Sequence, residues 1–570
     1  MINHKTLKRK HMATIENTQE HVPVSWSVYK KIAFRIAFVF FVLVSIPLSG
    51  SWYKNLVSID WSRPHYRDIY DIARYGTNVP SLFGGSGRPT RSDDAEAAPA
   101  TSKKASKDKV STKSIDSQQD PQAAELQQLA RKRTWYGDYA SWGNALVLAV
   151  IGGLIWTLID RKRPSYNVLY YWLTVIVRFR AAIGIIGFGY TKLFPTQMPF
   201  PSLGLLNTDF GDFTAQKIYW LSVGIVPWYQ VFGGVVELLA GALLFFRKTA
   251  TFGAILLIGA LGDITFVNYA YDGGVHVYAF YFVLLGSFVI AADVPRLYNL
   301  LILERYTVPH FYYPDYTKPT YKYARIALKS LAIIIFFGVL TYTEVINFKY
   351  DPYKQPATAG LKTLRGNYTV TQFKINGQEI PYSPLDSVRW KEATFEKWTT
   401  LTFRVNKPVV VDPSNGGGSP MRDVQRTFEI AGTAGGQRAF HYYADTVDKV
   451  LYLQDKNAVA ARAPRESNED ATDRKRSNKD NWISDAAWKN IGDENKFIHP
   501  AAWSTRRDRE FARPEKNVNR AKMVLSYRTT DGSRVILTGI NENRDSIYVV
   551  LDKRDRKYIL PESSLNAGKY

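Results

Sequence analysis

Seven runs of about twenty apolar residues, separated by strongly polar stretches, constrain this chain more than any other feature. They fall at about 32–49, 142–159, 168–193, 218–246, 250–269, 275–294 and 323–346. A helix of that length crosses a hydrocarbon core of ~30 Å and satisfies its own backbone there. The expected fold class is therefore an α-helical polytopic membrane protein of about seven spans, with polar segments attached. The first run follows a basic leader of thirty residues and no A-x-A site comes after it, so it reads as a signal anchor rather than a cleaved signal peptide.

The connections give an orientation. Arg161-Lys162-Arg163 follows the second run and Arg247-Lys248 the fourth. Arg296, Arg305, Lys318, Lys322 and Arg325 lie between the sixth and seventh. With seven alternating spans these clusters share one side with the N-terminus, and the positive-inside rule makes that side cytoplasmic. The expectation is a bacterial cytoplasmic (inner) membrane protein. Residues 1–30 form a cytoplasmic tail, 31–50 the first helix, 51–141 a periplasmic loop and 142–346 a six-helix region. Within the loop, 85–133 lacks the apolar content to order itself and is expected to be largely disordered, apart from a short helix near AAELQQLARKR.

Residues 347–570 change character. Short alternating runs (YTVTQFKI, TTLTFRVN, VVVD, RTFEIAG, VLYLQ, MVLSYRT, RVILTGI, SIYVVLD) are broken by Asn376-Gly377, Asn415-Gly416 and Asp531-Gly532. That pattern predicts a C-terminal antiparallel β sandwich or barrel domain, placed in the periplasm, with a polar insertion at about 456–520. Arg389-Trp390 and Trp398 suggest either core packing or a cation–aromatic stack.

Composition narrows the chemistry. The absence of cysteine excludes disulfides, thiolate nucleophiles and Cys-ligated zinc or iron–sulfur centres. Eight histidines without an H-E-x-x-H helix argue against a classical metalloenzyme. The net charge of +23 fits a lipid bilayer with anionic head groups better than nucleic acid, for which no binding motif is present. No phosphate-binding loop and no nucleophile elbow is found.

Four local matches lie between Arg178 and about Asp293. They are an arginine early in a span (Arg178 or Arg180 in IVRFRAAIG), Gly189-Tyr190-Thr191-Lys192-Leu193 at its end, Glu237-Leu238-Leu239-Ala240-Gly241, and the short Arg247-Lys248 turn into Ala250-Thr251-Phe252-Gly253. In this order the segment resembles the DoxX family of small four-helix bacterial membrane proteins. The match covers about a fifth of the chain, and the overall plan is similar to longer DoxX-like proteins with an appended extracytoplasmic β domain. The resemblance implies a four-helix core at about 168–294. Some members are subunits of a membrane thiosulfate:quinone oxidoreductase, so it also implies quinone or electron-transfer chemistry nearby.

Ionisable groups inside a membrane are expensive and so are candidate sites. Depth along the helices, at ~1.5 Å per residue, pairs Arg178 with Glu237 and Arg180 with Asp263 as an intramembrane polar core. The plainer reading is polar contacts that fix helix register. The functional one is a proton or quinone head-group site. A second candidate group, Tyr190, Lys192, Asp212, Asp272 and His276, is expected at the outer face, beneath the Pro-rich loop 194–201. Solvated loop ends are its plainer reading, and no metal is assigned. Gly233, Gly234, Gly241, Gly253, Gly259 and Gly262 read as small-residue packing faces. No catalytic residue is assigned.

Two functions follow from this reading. One is a quinone-associated or electron-transfer component that relies on a partner for its redox centre, since no cofactor motif is visible. The other is a non-catalytic membrane scaffold whose periplasmic β domain binds another envelope protein.

Overall fold

The computed structural model describes residues 25–75, 139–307, 314, 318–417, 422–458, 482–492, 498–512 and 519–570. The stretch 85–133, with its expected short helix, lies outside the described residues, as does most of the N-terminal tail.

The helical part opens with α1 (Val28–Ser45), α2 (Gly50–Val57) and α3 (Tyr66–Ala73). It continues with α4 (Ala140–Ile159), α5 (Asn167–Leu193), α6 (Leu203–Leu206) and α7 (Ala215–Gly224). Then come α8 (Pro227–Leu244), α9 (Ala250–Ala270), α10 (His276–Ile290), α11 (Val294–Leu301) and α12 (Pro319–Tyr350). Among these, α4, α5, α8, α9 and α12 are each long and apolar enough to cross a membrane. The pairs α1/α2 and α10/α11 qualify only together, bent by 49° and 77°, so the described residues hold five to seven candidate spans. The expected unbroken run at 218–246 is two helices instead. Pro227 occupies the first turn of α8. Lacking an N–H and crowding the preceding turn, it starts a helix more readily than it continues one.

Helices α5, α8, α9 and α10 pack in a ring, each on the next and α10 back on α5. Helix α1 lies alongside α5, and α4 packs on α1. Glycine sets the α5–α8 register. A Cβ on residue 234 would sit 2.4 Å from the Leu193 nitrogen, and one on residue 241 would sit 2.6 Å from Ile186 Cγ1. Farther along, the rings of Phe179 and Phe245 meet edge to face at 5.2 Å. Gly259 and Gly262 do not join this packing, because a Cβ on either would meet nothing within 4 Å. In α12 the stretch Ile334–Val339 is π-helical.

The C-terminal part is a closed antiparallel barrel. Its strands are β1 (Gly366–Ile375), β2 (Gln378–Glu379), β3 (Glu392–Phe395), β4 (Thr400–Arg404), β5 (Gln437–Asp445) and β6 (Val450–Asp455), then β7 (Lys522–Arg528), β8 (Arg534–Ile540) and β9 (Ser546–Arg554). Neighbours pair in the order β1-β3-β4-β5-β6-β7-β8-β9, and β1–β9 pairing closes eight strands, with β2 folded onto the end of β1. Asn376 and Gly377, at φ 51° and 81°, form the two-residue turn of that hairpin. The barrel interior is filled by Phe373, Trp390, Phe395, Phe403, Phe440, Leu453, Leu525, Leu537 and Val549, as expected where eight strands leave room only for side chains.

Two expected strands are absent. VVVD contributes only an isolated bridge from Asp412 to Ala431. RTFEIAG is a buried, irregular segment at the barrel base. The described parts of the 456–520 insertion include α13 (Asp485–Ile491) and α14 (Thr505–Ala512).

Candidate functional site

The expected pairs do not form. Glu237 receives Lys192 Nζ at 2.6 Å, because the glycine contacts place α8 residues 234–241 against α5 residues 182–193. Arg178 lies two to three turns farther along, beside the end of α8. The depth estimate erred in assuming that α5 and α8 end at one level, whereas α5 runs past the α8–α9 turn. Asp263 is exposed on α9 and does not meet Arg180, which points into the bundle.

Arg180 is 3% exposed, and its guanidinium lies within hydrogen-bonding reach of the hydroxyls of Tyr278 and Tyr75. Its guanidinium carbon lies 4.3 Å from the ring centre of Tyr75 and 5.1 Å from that of Tyr281. Tyr278 completes an aromatic nest, its buried hydroxyl beside the guanidinium. The nest is built around a helix break. Pro47 cannot continue α1, so the last carbonyls of that helix lack intrahelical partners. The hydroxyls of Tyr281 and Tyr75 donate to two of them, Val44 O at 2.7 Å and Ser45 O at 2.5 Å. The negative end of the α1 dipole thus lies on the far side of the tyrosines from the guanidinium. Residue 184 must be small, since a Cβ there would come within 2.6 Å of Arg180 Nη1.

The outer-face residues are dispersed. Lys192 is committed to Glu237. The Tyr190 hydroxyl accepts from Thr341 Oγ1 at 2.5 Å. Asp212 faces the barrel, 3.6 Å from Arg404, which also holds Asp209 at 2.5 Å. Asp272 is exposed at φ 59°. His276 is buried, with the rings of Tyr139 and Tyr269 at 6.1 and 6.0 Å. The Pro-rich loop packs down over α8, where the Gln230 amide accepts from Met198 N and donates to Met198 O, both at 3.0 Å.

A second concentration of buried charge joins bundle and barrel. Asp351, directly after α12, accepts from Arg426 at 2.5 Å and from Arg507 of α14. Burial alone would raise its pKa, but Arg507 and Arg426 hold it well below the usual carboxylate range. His65 caps α3 by accepting from the Arg67 N–H through Nδ1, leaving Nε2 3.9 Å from Asp351. Lys456 donates to both oxygens of Glu429 at 2.9 Å, and Trp398 Nε1 adds 2.6 Å to the same carboxylate. Lys217 of α7 reaches Phe428 O at 2.5 Å, and burial, with Lys354 nearby, pulls its ammonium down to about 7. Burial raises Glu396 to about 7 against the opposing N–H groups of Gly204 and Leu203.

Tyr75, Tyr278 and Tyr281 were not candidates from sequence, where tyrosine near a membrane end reads as interfacial. The Pro47 break was the available signal. Asp351, Arg426, Lys456 and Glu429 gave none, since charges in a polar domain read as solvated. Arg389 and Trp390 do not stack with Trp398. Arg389 donates to Ile380 O and Val370 O at 2.8 and 2.9 Å, and Trp390 stacks on Phe403 at 3.9 Å. No protein-family profile, curated protein or solved structure matches this chain.

Proposed function

We propose that this is a DoxX-like inner-membrane protein whose helical bundle binds a membrane quinone head group at Arg180, within an electron-transfer assembly whose redox centre comes from a partner. The carrying observation is the Arg180 guanidinium, buried in the bundle among Tyr75, Tyr278 and Tyr281, with phenol hydroxyls rather than a carboxylate beside it among the described residues. An intramembrane charge with no acid partner is retained for a reason other than register. A quinone carbonyl is an acceptor suited to a guanidinium and to the Tyr278 hydroxyl beside it, and the aromatic walls suit its ring. The quinone supplies the electron chemistry when bound. Arg180 and the tyrosines orient it and exclude water. In this reading the N-terminus is cytoplasmic and the barrel periplasmic, following the basic connections.

The test is the quinone content of protein purified in mild detergent from its own membranes, measured by mass spectrometry. Wild type retains about one quinone per chain, and Arg180→Ala loses it at least tenfold while keeping its helical content. Equal content in the two proteins rejects the reading.

A scaffold role is the second reading, favoured by the filled barrel interior and its ionic seat on the bundle. These leave the barrel wall as a presented surface for an envelope partner. Crosslinking that recovers one partner equally from wild type and Arg180→Ala, with no quinone in either, supports it.

A further inference from the structure

Most residues of α11 are apolar, yet none of them is buried by the described chain. Val294, Leu297, Tyr298 and Leu301 recur through the helix, and Ile302 continues the series at its end. That i, i+3, i+4, i+7, i+8 spacing lines one helix face, and Leu300 is the one apolar side chain off it. Tyr298, Leu301 and Ile302 are 54%, 68% and 65% exposed. Arg296 and Asn299 lie on the opposite face, where Arg296 pairs with Asp293 at 3.2 Å. Arg305 follows, its backbone N–H donating to Asn299 O at 2.8 Å.

The direction of α11 follows from how α10 ends. Pro295 occupies the first turn of α11 and, lacking an N–H, cannot carry the preceding helix onward. The axis turns by 77° there. At the corner, Asp293 accepts from Thr251 Oγ1 in the first turn of α9 at 2.6 Å, which fixes the corner at the bundle end remote from the barrel. Eight residues are ~12 Å long, of which a 77° turn leaves about 3 Å along the α10 axis. Helix α11 therefore adds almost no depth to a span and runs across the membrane normal. Because none of its residues is buried, it leads away from the bundle rather than beneath it. We propose that α11 is an interfacial helix in the plane of the lipid bilayer, its apolar face in the acyl-chain boundary and its arginines toward the phosphates. The perpendicular exit from a bundle helix selects lipid over a soluble partner. So does charge, since Arg296 and Arg305 outnumber Glu304 around a face of leucine, valine, isoleucine and tyrosine. Helices of this composition settle ~5–10 Å into the head-group boundary.

The chain has no cysteine, so single introduced cysteines can be read without background. The full chain carrying Leu301→Cys, Tyr298→Cys or Asn299→Cys is placed in nanodiscs of phosphatidylglycerol and phosphatidylcholine and labelled with a membrane-impermeant maleimide. On the protein surface alone Leu301 and Tyr298 are exposed and Asn299 is half-buried, so without a membrane contact the first two label at least as fast as the third. In the interfacial position the order inverts. Leu301→Cys and Tyr298→Cys label about tenfold more slowly than Asn299→Cys, the factor set by withdrawing a side chain of that size from an apolar environment. A bimane attached in the Leu301→Cys chain is then quenched by lipid with a nitroxide near the top of its acyl chain, and less by lipid with the nitroxide near the methyl end. Labelling of Leu301→Cys and Tyr298→Cys as fast as Asn299→Cys overturns the proposal. Protection without lipid quenching also overturns it and assigns the face to a second copy or another protein. If one of the two apolar-face variants fails to fold, the other decides alone.

Discussion

Arg426 Nη2 lies 2.5 Å from Asp351 Oδ1, joining the base of the barrel to the residue that follows the last membrane helix. Arg507 of the insertion takes the other oxygen, so three distant parts of the chain meet on one buried carboxylate. Removing one partner of a buried pair leaves an uncompensated charge. Arg426→Leu should therefore destabilise the protein by about 3–5 kcal/mol, seen as a lower Tm by scanning fluorimetry. Arg426→Leu with Asp351→Asn should recover part of that loss. A single variant as stable as wild type would refute the pairing.

The barrel base should also respond to pH through His441. Its Nδ1 meets Thr399 Oγ1 at 3.2 Å, and Asp423, Lys456 and Glu429 surround it. Burial pulls its pKa from 6.5 down to about 4 despite Asp423. Between those values the unfolded chain binds the extra proton, so stability falls as pH drops from about 6.5 to 4. Glu396, raised to about 7, contributes the opposite slope between about 4.5 and 7. A Tm series across this range should flatten at its acid end in His441→Gln. An unchanged acid slope would show that His441 titrates as freely as in the unfolded chain.

The spans were legible because twenty apolar residues in a row have few alternatives, and β6 to β9 because their alternation is regular. Register between helices was not, since it depends on where glycines allow backbones to touch. That is why Glu237 was matched to Arg178 rather than Lys192. RTFEIAG alternates like a strand, but its polar members, Arg426 and Glu429, are buried by partners from distant segments. Local pattern carries no record of that. QRAFHYYAD, which forms β5, went unread because its interior aromatics mask the alternation. Arg180 was singled out for its cost in a membrane, while its tyrosine neighbours come from separate segments that only the fold brings together.

The α5–α8 contact gives a sharp pair of outcomes. Gly234→Ala puts a Cβ 2.4 Å from the Leu193 nitrogen and 2.7 Å from Gly189 O, both backbone atoms that cannot swing aside. It should cost about 1–3 kcal/mol through overpacking. Gly259→Ala meets nothing within 4 Å and should be neutral or slightly stabilising. Thermal unfolding in one detergent compares them, and equal effects would argue against this register.

The Lys192–Glu237 pair separates register from chemistry. Lys192 Nζ reaches Glu237 Oε1 at 2.6 Å, while Oε2 is buried without a hydrogen bond. If the pair serves packing, Lys192→Met should be destabilising by about 3–5 kcal/mol, because the carboxylate is then buried alone. Glu237→Gln removes the opposite member and leaves a buried ammonium. The double variant carries no charge, so its loss should be well below the sum of the singles. The coupling from that cycle measures the pair itself, provided neither single change creates a new contact. Quinone retention should be unchanged in the double variant, because the carrying site is at Arg180. Loss of quinone with an intact fold would move the site to the Lys192 end of α5.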